Sequence, residues 1–184
     1  MFKELIERIA ISLDKGGIPY MIIGGQAVLL YGEPRFTKDI DITLGIDVDT
    51  LDKVLVLTSK LSLTILVNDV GDFVKKTMVL PSLDVSTGIR VDWIFSHSNY
   101  ERQAIERSNK VKFGDTIVRF ASLEDVVIHK IIAGRPRDIE DVSIILLKTS
   151  EYDYQYISRW LRKFDNSLGE SFLETFKRLV IDIK

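Results

Sequence analysis

The sequence predicts an α/β fold with a helical C-terminal portion, and two observations carry that expectation. Up to Ala121, apolar residues alternate between helical and strand periods, whereas from Ser122 onward only the helical period persists. No repeat, low-complexity segment or convincing linker interrupts the 184 residues. The expected organisation is therefore one compact unit, with an α/β core over residues 1–121 and a helical portion over 122–184 packed on it.

The elements follow in order. Phe2, Leu5, Ile6, Ile9 and Leu13 share one helical face, and Gly16-Gly17 ends that helix. Pro19 opens the apolar run Tyr20 to Ile23, a strand that stops at Gly24-Gly25. Residues 26–31 read as a short helix closed by Gly32 and Pro34. A strand is expected over about 39–44, a helix over 49–61 and a strand from Leu63 to Val67. Asn68 to Asp72 reads as a turn, and Phe73 to Leu80 as a returning strand. Ile89, Val91, Trp93 and Phe95 alternate with Arg90, Asp92 and Ile94, giving a half-buried strand, and Gly114-Asp115 marks a small hairpin. Ser122-Leu-Glu-Asp125 is a capping box, and Pro136 suits the first position of a second helix. Two amphipathic helices carrying the aromatic residues Tyr156, Trp160, Phe164, Phe172 and Phe176 fill residues 153–182, and this stripe reads as core rather than as a base-stacking platform.

Composition narrows the function classes. With no cysteine there is no disulfide framework and no thiolate chemistry. The first fifteen residues carry charges at helical intervals, unlike a signal peptide, and no apolar run approaches the roughly 20 residues of a membrane span. A cytoplasmic protein with no membrane partner is the expectation. A net charge of −2 gives no general attraction to nucleic acid, so such a partner would need a local basic patch.

The most informative stretch is Gly24-Gly25 followed by Arg35-Phe36-Thr37-Lys38-Asp39-Ile40-Asp41-Ile42. Side chains two apart on a strand share a face, so Asp39, Asp41 and Thr43 stand together while Ile40, Ile42 and Leu44 turn to a core. Adjacent carboxylates resist ionising beside one another, and a cation between them relieves the repulsion. Hard oxygen ligands suit Mg2+, with Mn2+ as the alternative, held by one or two carboxylates and substrate phosphates. A glycine pair at a strand-to-helix turn lets backbone amides approach a phosphate at the helix N-terminus. Arg35 reads equally as a bidentate grip on a triphosphate and as an ordinary loop cation. Asp92 is the candidate third carboxylate, against the plainer reading of a surface aspartate paired with Arg90. Asp84 competes with it from a weaker local pattern.

These residues resemble the DNA polymerase β-like nucleotidyltransferase superfamily, whose pattern is G-G/S, a short helix, R-x-T-x-D-h-D-h and a later h-D-h strand, here Val91-Asp92-Trp93. Leu123 to Lys130 and Ile131 to Val142 resemble its AbiEii-like, toxin-type branch. The resemblance spans about residues 19–142. It implies a nucleotidyltransferase fold with a mixed, strongly twisted sheet. It also implies Asp39, Asp41 and Asp92 as metal-holding catalytic residues. Gly24, Gly25, Arg35, Thr37 and Lys130 would bind nucleotide, and Lys130 and Asp138 would complete the catalytic set. Two departures stand out: Gly25 replaces a serine found in many members, and the chain is shorter than many toxins of the branch.

Read from the residues alone, Lys130 on a largely apolar helix either snorkels to water or meets a phosphate. Asp138 and Asp141 lie three apart and share a face, so either is the candidate acid, while their place near a helix start also suits its dipole. The expected function is transfer of a nucleotidyl group from a nucleoside triphosphate such as ATP to a hydroxyl or phosphate of RNA, protein or a metabolite. A toxin role with an antitoxin protein as partner belongs to the same expectation. The alternatives are an antibiotic-type small-molecule nucleotidyltransferase and a non-catalytic nucleotide-binding module.

Overall fold

The computed structural model describes residues 2–33, 37–96 and 98–183. The first elements are α1 (Phe2–Lys15), β1 (Tyr20–Ile23), α2 (Gly24–Tyr31) and β2 (Asp39–Leu44). A 3-10 turn at Val48–Thr50 leads into α3 (Leu51–Lys60), β3 (Thr64–Ile65), α4 (Val70–Thr77), β4 (Val79–Asp84) and β5 (Ile89–Phe95). Then come α5 (Asn99–Glu106), the hairpin β6 (Asn109–Phe113) and β7 (Thr116–Phe120), and the helices α6 (Leu123–Ala133), α7 (Pro136–Lys148), α8 (Tyr154–Leu168) and α9 (Phe172–Asp182). Residues 1–26 with 36–121 form one compact unit, and residues 27–35 with 122–184 form another. Among the described residues no helix is long and apolar enough to cross a membrane.

The first unit is built on a seven-stranded sheet in the order β3-β4-β5-β2-β1-β7-β6. It is mixed: β2 runs parallel to β5 and β1 parallel to β7, while the other neighbours are antiparallel. This is the α/β class expected from the sequence. The alternation in β5 buries Ile89, Val91, Trp93 and Phe95 and leaves Arg90 and Asp92 on the other face. Trp93 is fully enclosed, and its indole N–H donates to Ser82 Oγ at 2.9 Å, so its one polar atom is satisfied. Helix α1 buries Leu5, Ile6, Ile9, Ala10 and Leu13 and packs against β7. Each of its larger side chains contributes about 1.5–3 kcal/mol through removal from water.

The expected strand from Phe73 to Leu80 is instead mostly α4, and the strand resumes only at Val79. Phe73, Val74 and Thr77 are residues that favour strands, but Val70, Phe73, Val74 and Thr77 also fit the helical period. Tertiary burial of Val74 decides in favour of the helix. Lys75 and Lys76 complement its C-terminal dipole, and Met78 ends it in the left-handed region at φ 60°. The expected strand at Leu63–Val67 shrinks to two residues, and α5, capped by Ser98, had no expectation attached to it.

In the second unit the anticipated boundaries are built as their chemistry requires. Ser122 Oγ accepts from the Asp125 amide at 3.2 Å at the start of α6. Gly134, at φ 64°, closes that helix by donating to the Lys130 carbonyl, and Pro136 opens α7. Of the aromatic stripe expected as core, Tyr156, Trp160 and Phe176 are buried, whereas Phe164 and Phe172 are only half-buried.

Candidate active site

Strand β1 ends at Ile23, which lies opposite Asp41 of β2. The next residue, Gly24, takes φ +64° and begins α2. A Cβ there would stand 2.9 Å from the Asp41 carboxyl carbon and closer still to its Oδ2. Gly24 is thus required twice, by its left-handed backbone and by the carboxylate against it. Within the pair it alone has positive φ, while Gly25 is buried behind it. Asp41 is held at the positive end of α2, where first-turn amides lack partners inside the helix.

The parallel pairing of β2 with β5 sets Asp39 beside Arg90 and Asp41 beside Asp92. In-register neighbours point to the same face and their strands lie about 4.8 Å apart. Four charged side chains therefore form one small patch: Asp39 and Asp41 on one strand, Arg90 and Asp92 on the next. Thr43 shares the β2 face by period but is buried, so the polar patch stops short of it. Asp92 Oδ1 accepts from Arg90 Nε at 2.8 Å, with the arginine side chain 48% exposed and the aspartate 18%. That hydrogen bond is the foremost reason the Arg90 guanidinium is held above its ordinary pKa. Partial burial opposes the shift, and the charges of Asp92, Asp39 and Asp41 reinforce it. Thr37 Oγ1 turns onto the backbone of Asp39, donating to its carbonyl at 3.3 Å and accepting from its amide at 3.4 Å. Arg35 lies outside the described residues.

Asp84 is not part of this patch. It lies opposite Ile89, three residues beyond the Pro81–Asp92 pair, and its carboxylate accepts from Ser86 Oγ at 2.6 Å and the Ser86 amide at 3.0 Å. Those bonds lock the β4–β5 turn and, with the Ser86 hydroxyl foremost, hold the Asp84 pKa below its ordinary value against partial burial.

The aspartate patch suits a divalent cation by donor chemistry and by register, since it supplies three hard oxygen donors on adjacent positions. A cation already stands among them in the form of the Arg90 guanidinium. The side chains are not gathered, however: among the described residues no three His, Cys, Asp or Glu side chains converge closely enough to hold a metal ion.

The second unit holds a separate charged cluster. The turn at Gly134-Arg135 folds α7 back so that Lys130 meets Asp138, a meeting that sequence spacing leaves open. Lys130 Nζ lies 2.6 Å from Asp138 Oδ1 and 2.9 Å from Asp141 Oδ2, and Arg135 Nε lies 2.6 Å from Asp138 Oδ2. Lys130, Asp138 and Asp141 are all buried, so the lysine does not snorkel to water. Burial pushes the Asp138 carboxyl up, but hydrogen bonds from Arg135 and Lys130, with their charges, outweigh it and hold its pKa below the ordinary value. Sequence reasoning missed a neighbouring network in which fully buried Asp125 accepts from Ser122 Oγ at 2.7 Å and Tyr156 OH at 2.9 Å. The capping box was the only signal for it, because Tyr156 lies 31 residues away.

Comparison with solved structures places the same fold in several nucleotidyltransferases. One is ANT(2")-Ia, solved in complex with adenylyl-2"-tobramycin, at TM-score 0.59 and 17% identity over 91% of this chain and 98% of that one. Another is an antigenic nucleotidyltransferase-like protein from Paracoccidioides brasiliensis, at TM-score 0.58 and 17% identity, covering 90% and 87% of the two chains. The lincosamide antibiotic adenylyltransferase LnuA, lincomycin-bound, aligns at TM-score 0.50 and 18% identity over 74% and 91%. No curated protein matches the chain in sequence. Residues 1–166 match the family described as "Nucleotidyltransferase of unknown function (DUF6036)", and the chain belongs to that family of nucleotidyltransferases.

Proposed function

We propose that the chain transfers a nucleotidyl group from a nucleoside triphosphate to the hydroxyl of a small acceptor, with Asp39, Asp41 and Asp92 holding Mg2+ or Mn2+. The observation that carries this reading is the fit of Gly24 to Asp41 beside the in-register Asp41–Asp92 pair. A fold with no use for clustered carboxylates has no reason to build either feature. A bound divalent cation would neutralise charge on the triphosphate and polarise the phosphorus centre. Amides of Gly24 and Gly25 at the start of α2 would orient phosphate oxygens. The acceptor oxygen would form a bond to the α-phosphorus as the bond to the bridging oxygen breaks, releasing pyrophosphate. Asp92 would take the acceptor's proton. Arg35 and Thr37 would contact the nucleotide. Lys130 and Asp138 are kept as contributors to triphosphate recognition and catalysis.

A small acceptor is favoured because two proteins that share this fold were solved with small molecules, ANT(2")-Ia with adenylyl-2"-tobramycin and LnuA with lincomycin. One observation favours a second reading, that of an AbiEii-like enzyme acting on RNA or protein, with a toxin role and an antitoxin partner. It is the meeting of Lys130 with Asp138 and Asp141, the residues by which the resemblance to that branch is drawn. The two readings separate when the protein is incubated with each α-labelled triphosphate and Mg2+ or Mn2+ in the presence of metabolite, RNA or protein fractions. Label in the metabolite fraction supports the first reading, and label in RNA or protein supports the second.

A further inference from the structure

We propose that Arg90 is the resident counter-ion of the aspartate patch and sets its affinity for divalent cations: it holds Asp92 in the metal-free protein and must be displaced from it for the three carboxylates to gather. This rests on the metal-holding reading given above.

The placement of Arg90 follows from two independent geometric facts. Being two residues before Asp92 on β5 it shares that residue's face, and the parallel register puts it beside Asp39, whose strand also carries Asp41. Its guanidinium thus stands within a patch of three carboxylates and leaves a formal charge of −2 on the four side chains, which becomes −3 if it is removed. Arginine stays charged at any pH the protein meets, so this screening cannot be titrated away. The contact that holds Asp92 is made by Nε alone, and the arginine is half exposed. An exposed pair of this kind is weak and its arginine swings into water at little cost. Asp92 is therefore tied in a way that a divalent ion, with twice the charge, can undo.

Two consequences follow for Arg90→Gln, which removes the charge while keeping most of the stem. Metal-free protein should melt lower, because three carboxylates are left facing one another. Divalent affinity should rise, because no cation competes for Asp92. Removing one unit charge about 6 Å from a divalent ion in water-like surroundings corresponds to a gain on the order of tenfold at low salt, shrinking as salt rises.

The test is Mn2+ titration of the metal-free full chain, read by the electron paramagnetic resonance signal of free Mn2+, at low and high salt. Wild type, Arg90→Gln, Arg90→Lys and Asp41→Asn are compared, with melting followed in parallel. The expected result is several-fold tighter binding by Arg90→Gln, an intermediate value for Arg90→Lys, and binding lost in Asp41→Asn. Equal or weaker binding by Arg90→Gln, with Asp41→Asn still defective, overturns the role of Arg90 and leaves the metal site standing. If wild type and Arg90→Gln both fail to bind, or Asp41→Asn binds like wild type, the metal-holding reading falls and the counter-ion proposal falls with it. Should Arg90→Gln prove poorly folded, Arg90→Lys carries the comparison, since it keeps the charge but loses the Nε contact.

Discussion

Replacing Gly24 with alanine tests the tightest contact in the candidate site. The substitution meets two separate penalties. Holding a residue with Cβ at φ +64° costs about 1–2 kcal/mol. The new methyl would also overlap the Asp41 carboxylate, which must turn away from its preferred rotamer at a cost of about 0.5–1.5 kcal/mol. Together they amount to roughly 1.5–3.5 kcal/mol of lost stability, most of it backbone strain. A double-mutant cycle separates the two terms. In an Asp41→Ala background the carboxylate is gone, so Gly24→Ala should cost only the backbone part, and the coupling between the positions should be about 1 kcal/mol. Urea denaturation of the four proteins measures stability, and titration with a triphosphate and Mg2+ reports the site. Gly24→Ala should weaken that binding, since Asp41 can no longer lie against the start of α2. A coupling indistinguishable from zero would refute the reasoning, because it would mean that the glycine is there for its turn alone and not for the carboxylate.

Two further outcomes concern the second unit. Lys130→Met should destabilise the protein by about 3–5 kcal/mol, because it takes the buried cation away from the Asp141 carboxylate and leaves the buried Asp138 with only the exposed Arg135. If triphosphate affinity measured on the folded variant also falls, Lys130 serves the nucleotide as well as the fold, and unchanged affinity restricts it to the fold. Asp138 gives a pH dependence whose sign follows from its lowered pKa. Its contribution is fully present above the unfolded value of about 3.9 and is lost as pH falls through the lower folded value. The urea midpoint of wild type should therefore drop more steeply below about pH 4 than that of Asp138→Asn, and parallel profiles would count against the ion-paired cluster.

Much of the first unit was legible because local pattern and tertiary demand agree there. The alternation in β5, the glycine pair at a strand-to-helix turn and the Ser122 and Pro136 helix starts all state their structure within a few residues. The helix α4 was not legible, because Phe73, Val74 and Thr77 favour strands by residue type and fit a helix by period, and burial of Val74 broke the tie. The site shows the same division. Asp39 and Asp41 on one face follow from their spacing, and Arg90 beside Asp92 follows from theirs. That Gly24 must be glycine because of Asp41 depends on the β1–β2 register. The presence of Arg90 among all three aspartates depends on a parallel pairing between strands some fifty residues apart. Likewise, nothing local shows that Lys130 is buried, since a lysine among apolar neighbours commonly reaches water. Its burial became evident only once the turn at Gly134-Arg135 had placed Asp138 and Asp141 against it.

If the Asp39, Asp41 and Asp92 patch supports nucleotidyl transfer, the position of a radioactive label after reaction will reveal it. Wild type and the Asp39→Asn/Asp41→Asn double variant are incubated with the acceptor fraction and Mg2+, using ATP labelled at either the α- or the γ-phosphate. With wild type, α-label should move to the acceptor and γ-label should leave as pyrophosphate. The double variant should stay folded, with neither label moving. Transfer of the γ-label to the acceptor, or undiminished α-label transfer by the double variant, would contradict that role of the patch.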